Sequence, residues 1–69
     1  MQAHVWIVAD DEGGKYVLCD DHPMPPVNVL ELVGSFDIPD FGWGQAREVA
    51  EAKGKELGVR VEFYSDLFA

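Results

Sequence analysis

Two clusters of acidic residues, at positions 10–12 and 20–21, are the first candidates for a catalytic or metal-binding site in this sequence. Carboxylates that lie close together support general acid–base catalysis or bind metal ions. A predicted strand separates the two clusters and spans about 20 Å, at about 3.3 Å per residue. The clusters therefore do not meet in one catalytic or metal site, and they predict an extended negative surface instead.

Cys19 and His22 supply a thiol and an imidazole, the minimum pair for nucleophilic catalysis. Cys19 lies in a predicted strand, where a lone cysteine is usually a small buried apolar residue, and the nearby carboxylates disfavour its thiolate. No second Cys or His pair stands at zinc spacing, even if His4 approaches in space. Residues 10–13 lack the alternating oxygens and distal Glu of a calcium loop. We expect no enzyme, no metal site and no cofactor.

The charge of the chain is large and unevenly placed. Its 69 residues include 13 Asp and Glu against 5 Lys and Arg, for a net charge of -8. Residues 1–42 hold eight of these acids and one base, whereas residues 43–69 hold five acids and four bases. Direct binding to nucleic acid is not expected, because Lys and Arg supply most of that affinity. The eight acids of the first part form the predicted partner-binding surface: Asp10, Asp11, Glu12, Asp20, Asp21, Glu31, Asp37 and Asp40.

Two interpretations of this acidic surface remain open. Acidic turns keep a small protein soluble and monomeric. Alternatively, the surface imitates nucleic-acid phosphates and occupies a basic groove on another protein, where complementary potentials speed the encounter. Under the second interpretation, reversing the charge at 10–11 and 20–21 should abolish binding without unfolding the protein.

The hydropathy pattern predicts one α+β domain over residues 1–69, in the order β-β-(β)-α-β. Residues 3–9 are apolar on both faces, as in a well-covered central strand, and a Gly-Gly turn leads into a returning strand at 15–20. Three prolines at 23–26 predict a loop. Residues 27–36 suit either a third strand or a short helix, and their β-branched content favours the strand.

The last elements are a helix and a strand. An apolar stripe from Phe41 to Leu57 has helical spacing, with Asp40 as the expected N-cap and Gly58 as the C-cap. Residues 59–64 alternate as the final strand. We expect a small, mainly antiparallel sheet of three or four strands with the helix packed on one face.

The other face of this sheet is expected to be apolar and uncovered. It would carry residues such as Trp6, Tyr16 and Tyr64, and an open apolar face is often an interface. The chain is therefore expected to be a monomer or a weak homodimer. No membrane span is expected, because the longest apolar run, residues 5–9, is far shorter than the roughly 20 residues required. The N-terminal residues do not have the pattern of a signal peptide.

A very short, strongly acidic chain with a β-rich α+β fold and no catalytic motif resembles the phage-encoded anti-CRISPR proteins that mimic nucleic acid. The resemblance covers the whole chain in size and charge and includes no shared motif, so it transfers no residue role. It implies a basic partner, such as a nucleic-acid-binding subunit of a bacterial defence complex, and a cytoplasmic location in the bacterial host cell.

The leading functional prediction is a small acidic inhibitor that blocks the access of nucleic acid to its partner. The alternative is a protein–protein interaction module that dimerises or docks through the apolar face of the sheet.

Overall fold

The computed structural model describes residues 2–37 and 43–65, which form a four-stranded sheet and one helix. The elements are β1 (Gln2–Ala9), β2 (Lys15–Asp20), β3 (Val29–Asp37), α1 (Gly44–Leu57) and β4 (Val61–Tyr64). The α+β class is confirmed, and the segment that suited either a strand or a helix forms the nine-residue strand β3. Within the described ranges, no helix is long and apolar enough to cross a membrane.

The strands are arranged in the order β3-β1-β2-β4. The central strand β1 is antiparallel to both β2 and β3, whereas β4 runs parallel to β2. The sheet is therefore mixed, with two of its three pairings antiparallel. The strands β2 and β3 lie on either side of β1 and both run antiparallel to it. The chain that connects the end of β2 to the start of β3 must therefore return along the length of the sheet.

The helix α1 packs on one face of the sheet through its smallest residues. Ala46 and Ala50 are fully buried, and they belong to one apolar cluster with Val5, Val17 and Cys19 of the two central strands. Small side chains on this stripe let the helix backbone approach the sheet closely. The apolar area of β1 and β2 is thereby removed from water, which is the main favourable term in folding.

The two ends of α1 differ in how they are fixed. Its N-cap is Trp43, with a left-handed φ of 66° and no side-chain capping bond, and the expected cap Asp40 lies outside the described residues. The half-buried Trp43 packs against the core, with its ring centroid 6.3 Å from that of Phe63. At the start of the helix, the packing of Trp43 takes the place of a side-chain capping bond. At the other end, Gly58 is the C-cap, as predicted, with φ 69° and an N–H bond to the carbonyl of Lys55.

The second face of the sheet is partly covered by the proline-rich connection between β2 and β3, residues 21–28. Side-chain alternation directs Trp6 and Val8 to this face, yet they are only 9% and 2% exposed. At the end of the connection, the Asn28 carbonyl accepts a hydrogen bond from the Ala9 N–H. The expectation that Trp6 lies on an uncovered face is therefore wrong, because the returning chain has to pass over it.

Met24 and Tyr64 remain exposed on this second face, at 64% and 48%, and further exposed apolar side chains lie along the β3 edge of the sheet and just before it. Val27, Val29, Leu30 and Leu32 are 82%, 37%, 59% and 49% exposed. The pairing of β3 with β1 shifts register at two places, so this edge is irregular. Such bulges hinder edge-to-edge pairing with a second sheet.

Candidate partner-binding surface

The turn between β1 and β2 is built on the carboxylate of Asp10. Its Oδ1 accepts the backbone N–H groups of Glu12 at 2.9 Å and Gly14 at 3.0 Å, while Gly13 takes a φ of 86° that favours glycine. These two backbone bonds are the main reason why the pKa of Asp10 is lowered, and Arg60 contributes less. Asp10 therefore organises the turn, and the exposed Asp11 and Glu12 project from it.

Arg60 connects this turn to the other edge of the sheet. Its Nη1 lies 3.4 Å from Oδ2 of Asp10, and its guanidinium carbon lies 4.3 Å from the centroid of the Tyr16 ring. Its Nε donates to Oε2 of Glu62. The guanidinium thereby holds one carboxylate from the turn and one from β4 beside the same aromatic ring.

A concavity of about 430 Å³ lies at this end of the sheet. Four carboxylates line it, from Asp10, Asp11, Glu12 and Glu62, and Arg60 is the basic residue among them. In the part of the chain that the structure describes, the side chains of Asp11 and Glu12 form no ion pair. A concave surface of one predominant charge focuses the field and attracts the opposite charge. The concavity therefore suits a cationic group.

Glu62 is the member of this acidic group that the sequence did not reveal. It belongs to the second part of the chain, where acids and bases nearly balance. The parallel pairing of β4 with β2 sets Glu62 opposite Leu18 and so places it near the hairpin. No local pattern indicates this position, because the pairing joins segments that are far apart in sequence.

Asp20 and Asp21 lie at the far end of β2 and have internal partners. Asp20 is 3% exposed and accepts a hydrogen bond from Nε1 of Trp6 at 3.0 Å. Burial raises its pKa, and the bond from Trp6 offsets this effect only in part. Asp21 is partly buried and accepts the hydroxyl of Ser65 at 2.8 Å. Both side chains are therefore engaged within the fold and are not free to bind a partner.

The other predicted acids are dispersed. Glu31 on β3 lies near Lys53 of α1. The pKa of Lys53 is raised mainly by its hydrogen bond to Glu56, and to a lesser degree by the charge of Glu31. Asp37 is exposed at the end of β3, and Asp40 lies outside the described residues. Of the seven predicted acids that the structure describes, it brings together the three of the hairpin turn.

A second concavity, of about 350 Å³, adjoins the acidic one. Its walls are mostly apolar and include Leu18, Tyr64 and, from the proline-rich connection, Met24. Val27 and Glu62 line both concavities. The acidic and apolar regions are therefore neighbouring parts of one surface, on the face of the sheet opposite α1.

Cys19 and His22, the thiol and imidazole considered as a nucleophilic pair, lie in different environments. Cys19 is fully buried in the cluster between helix and sheet, and this burial raises the pKa of its thiol to about 12. Nδ1 of His22 accepts the backbone N–H of Met24 at 3.1 Å. Among residues 2–37 and 43–65, no group of three or more His, Cys, Asp or Glu is arranged to hold a metal ion.

Comparisons with protein-family models, curated proteins and solved structures gave no match to this chain. Its function is inferred from the charge, shape and burial of its own surface.

Proposed function

We propose that this protein is a small acidic inhibitor that binds the basic nucleic-acid-binding site of a partner protein. The observation that carries the proposal is the hairpin-end concavity, where Asp11, Glu12 and Glu62 stand around a turn fixed by Asp10. The inhibitor occupies the partner's lysines and arginines, and nucleic acid is excluded by competition. Resemblance to anti-CRISPR proteins supports a nucleic-acid-binding subunit of a bacterial defence complex as the partner, in the cytoplasm of the host cell.

The fixed turn matters because it reduces the entropy that binding costs. The two backbone bonds to Asp10 and the Arg60 contact hold the acidic loop in one geometry before the partner arrives. Charge-assisted bonds from Arg to carboxylate are about twice as strong as neutral ones and are often bidentate. Exposed charges also steer the encounter, so association should slow as salt increases.

The residues used to test this proposal must be free of structural roles. Asp10 and Asp20 do not qualify, because the first holds the turn and the second is buried against Trp6. Asp11 and Glu12 are exposed, so their substitution leaves the fold intact.

The decisive comparison is between two double variants with the same change in net charge. Asp11→Lys/Glu12→Lys reverses the hairpin charge, and Glu48→Lys/Glu51→Lys reverses two exposed acids on α1 as the matched control. The control also removes the exposed ion pair of Glu51 with Arg47, which contributes at most about 1 kcal/mol to stability. A partner is captured from a bacterial lysate at low salt, and displacement of labelled nucleic acid from it is followed by fluorescence anisotropy. Circular dichroism verifies that both variants fold.

We expect the hairpin variant to displace nucleic acid about 100-fold less well, and the helix variant to remain within a few-fold of the natural sequence. The factor follows from two lost bonds to charged groups, at about 1.5 kcal/mol or more each. Equal losses in the two variants would show that net charge alone is responsible. Failure of the natural sequence to displace nucleic acid from the captured partner would refute inhibition by competition.

A second candidate function is an interaction module that dimerises or docks through apolar surface. The observation that favours it is the exposure of Val27, Leu30 and Leu32, at 82%, 59% and 49%. This surface is the β3 edge and the adjoining connection, since Trp6 is buried. Self-association through apolar contacts would be insensitive to salt, which separates this candidate from the acidic inhibitor.

A further inference from the structure

The acidic and apolar concavities form one groove along β2 and β4. They adjoin at Val27 and Glu62, which line both concavities, and we treat the two together as one groove. At the hairpin end the groove is lined by the carboxylates of residues 10–12, and at the other end by Leu18 and Tyr64. One surface thus offers a place for cations next to a place for an apolar side chain.

The length of this groove follows from the register of the sheet. Tyr16 lines the acidic end, and Tyr64 of the apolar end lies opposite Asp20. The offset from Tyr16 to Asp20 along β2 corresponds to about 13 Å at about 3.3 Å per residue. An extended peptide covers that distance with about four residues.

Arg60 shows which cation the acidic end accommodates. Its guanidinium stacks on Tyr16 and bonds to Asp10 and Glu62. A second copy of this chain is a poor occupant, because each copy has a net charge of -8 and would bring further carboxylates to the groove. Charge complementarity selects a basic segment, and the apolar walls beside it select a large apolar side chain in the same segment.

We propose that the groove binds an extended segment of the partner in which about three residues separate a pair of arginines or lysines from a large apolar residue. The proposal rests on the inhibitor function and specifies the part of the basic partner that is recognised. The basic pair lies against Asp11 and Glu12, and the apolar residue lies between Leu18, Met24 and Tyr64.

Synthetic peptides test this recognition directly. The probe is a labelled peptide Arg-Arg-Ser-Ser-Ser-Leu, made in both sequence directions, with one control in which Ser replaces Leu and one in which Gln replaces both Arg. Affinity is measured by fluorescence anisotropy. We expect the better of the two complete peptides to bind about tenfold or more tightly than either of its controls, because burial of one Leu side chain corresponds to at least that factor. Equal affinity of the complete and Leu-free peptides would overturn the proposal.

Variants of the protein locate the contact. Met24→Gln and Val27→Gln change side chains that are 64% and 82% exposed, so the core is undisturbed, and Leu30→Gln is the matched control outside the groove at 59% exposure. The groove variants should lose the preference for Leu and keep the dependence on Arg. An equal loss in Leu30→Gln would overturn the assignment of the contact to the groove.

The outcomes separate this inference from the function on which it rests. Displacement of nucleic acid without discrimination among the peptides would overturn the groove and leave the inhibitor proposal standing. Discrimination among the peptides without displacement would support the groove and overturn inhibition by competition.

Discussion

Replacement of Gly54 by alanine should destabilise this protein, although the same change ordinarily stabilises a helix. Gly54 is buried in α1 where the helix meets the start of β4. A Cβ at this position would lie 2.3 Å from Cγ2 of Val61 and 3.2 Å from the carbonyl oxygen of Val59. Relaxed carbon–carbon contacts are about 3.5 Å or longer, so the helix and strand must separate by about 1 Å. Rotation of Val61 gives little relief, because β-branched side chains are stiff at χ1.

The net effect is a difference between two terms. Overpacking of this kind costs about 1–3 kcal/mol, whereas alanine is favoured over glycine within a helix by about 1 kcal/mol. The free energy of unfolding should therefore fall by up to about 2 kcal/mol. In a domain of this size, each kcal/mol corresponds to a decrease in Tm of about 4–8 °C.

A double-mutant cycle with Val61→Ala isolates the contact. That substitution removes Cγ2 and leaves the 3.2 Å contact with the Val59 carbonyl oxygen, so Gly54→Ala in the Val61→Ala background should stabilise the protein by at most about 1 kcal/mol. The coupling should be about 1–3 kcal/mol. Urea unfolding of the four proteins, followed by circular dichroism, gives the cycle. Equal stabilisation by Gly54→Ala in both backgrounds would refute the close approach of α1 to β4.

The remaining predictions concern pH and self-association. The ordinary pKa of an Asp carboxyl is 3.8, and burial raises the pKa of Asp20. Ionisation of Asp20 therefore lowers the free energy of unfolding as the pH rises above 3.8. Asp20→Asn keeps an acceptor for Trp6 and removes the buried charge, so it should raise Tm relative to the natural sequence, and by more at pH 7 than at pH 3. A larger increase in Tm at pH 3 would contradict the burial of an ionised Asp20. The pKa of Asp10 is lowered, so its stabilisation is present above 3.8 and lost as pH falls through the folded-state value. Asp10→Asn should therefore lower Tm at pH 7, and by less at pH 2. The same decrease in Tm at both pH values would show that the ionised carboxylate of Asp10 does not stabilise the turn. If the second candidate function holds, sedimentation should show a dimer that resists salt and that Leu30→Glu abolishes, and a monomer at high concentration would count against it.

Features that depend on neighbouring residues could be predicted from the sequence. The hairpin at residues 10–14 follows from adjacent glycines and from an aspartate whose carboxylate bonds to N–H groups two and four residues later. The helix ends at Gly58 because a left-handed cap favours glycine. The alternation of residues 59–64 places Glu62 away from the helix, although it does not reveal its neighbours. The exposed acids Asp11 and Glu12 belong to the same local turn.

The environment of Asp20 illustrates what the sequence left undecided. It stands beside Asp21 in a run that resembles a solvent-exposed acidic turn, yet it is buried, and Nε1 of Trp6 on the adjacent strand donates a hydrogen bond to it. The burial of Trp6 in turn depends on the proline-rich connection passing over that face. Both are consequences of strand order, which side-chain periodicity does not specify.

The sequence by itself determined the α+β class, the acidic hairpin turn and the excess of charge in the first part of the chain. Tertiary structure alone decided which carboxylates share a surface: it added Glu62 through the parallel β2/β4 pairing, and it buried Asp20. The physical reason is that turns and helix caps are stabilised by bonds within a few residues. The composition of a surface depends instead on pairings between distant segments, whose partners are selected by the packing of the whole sheet.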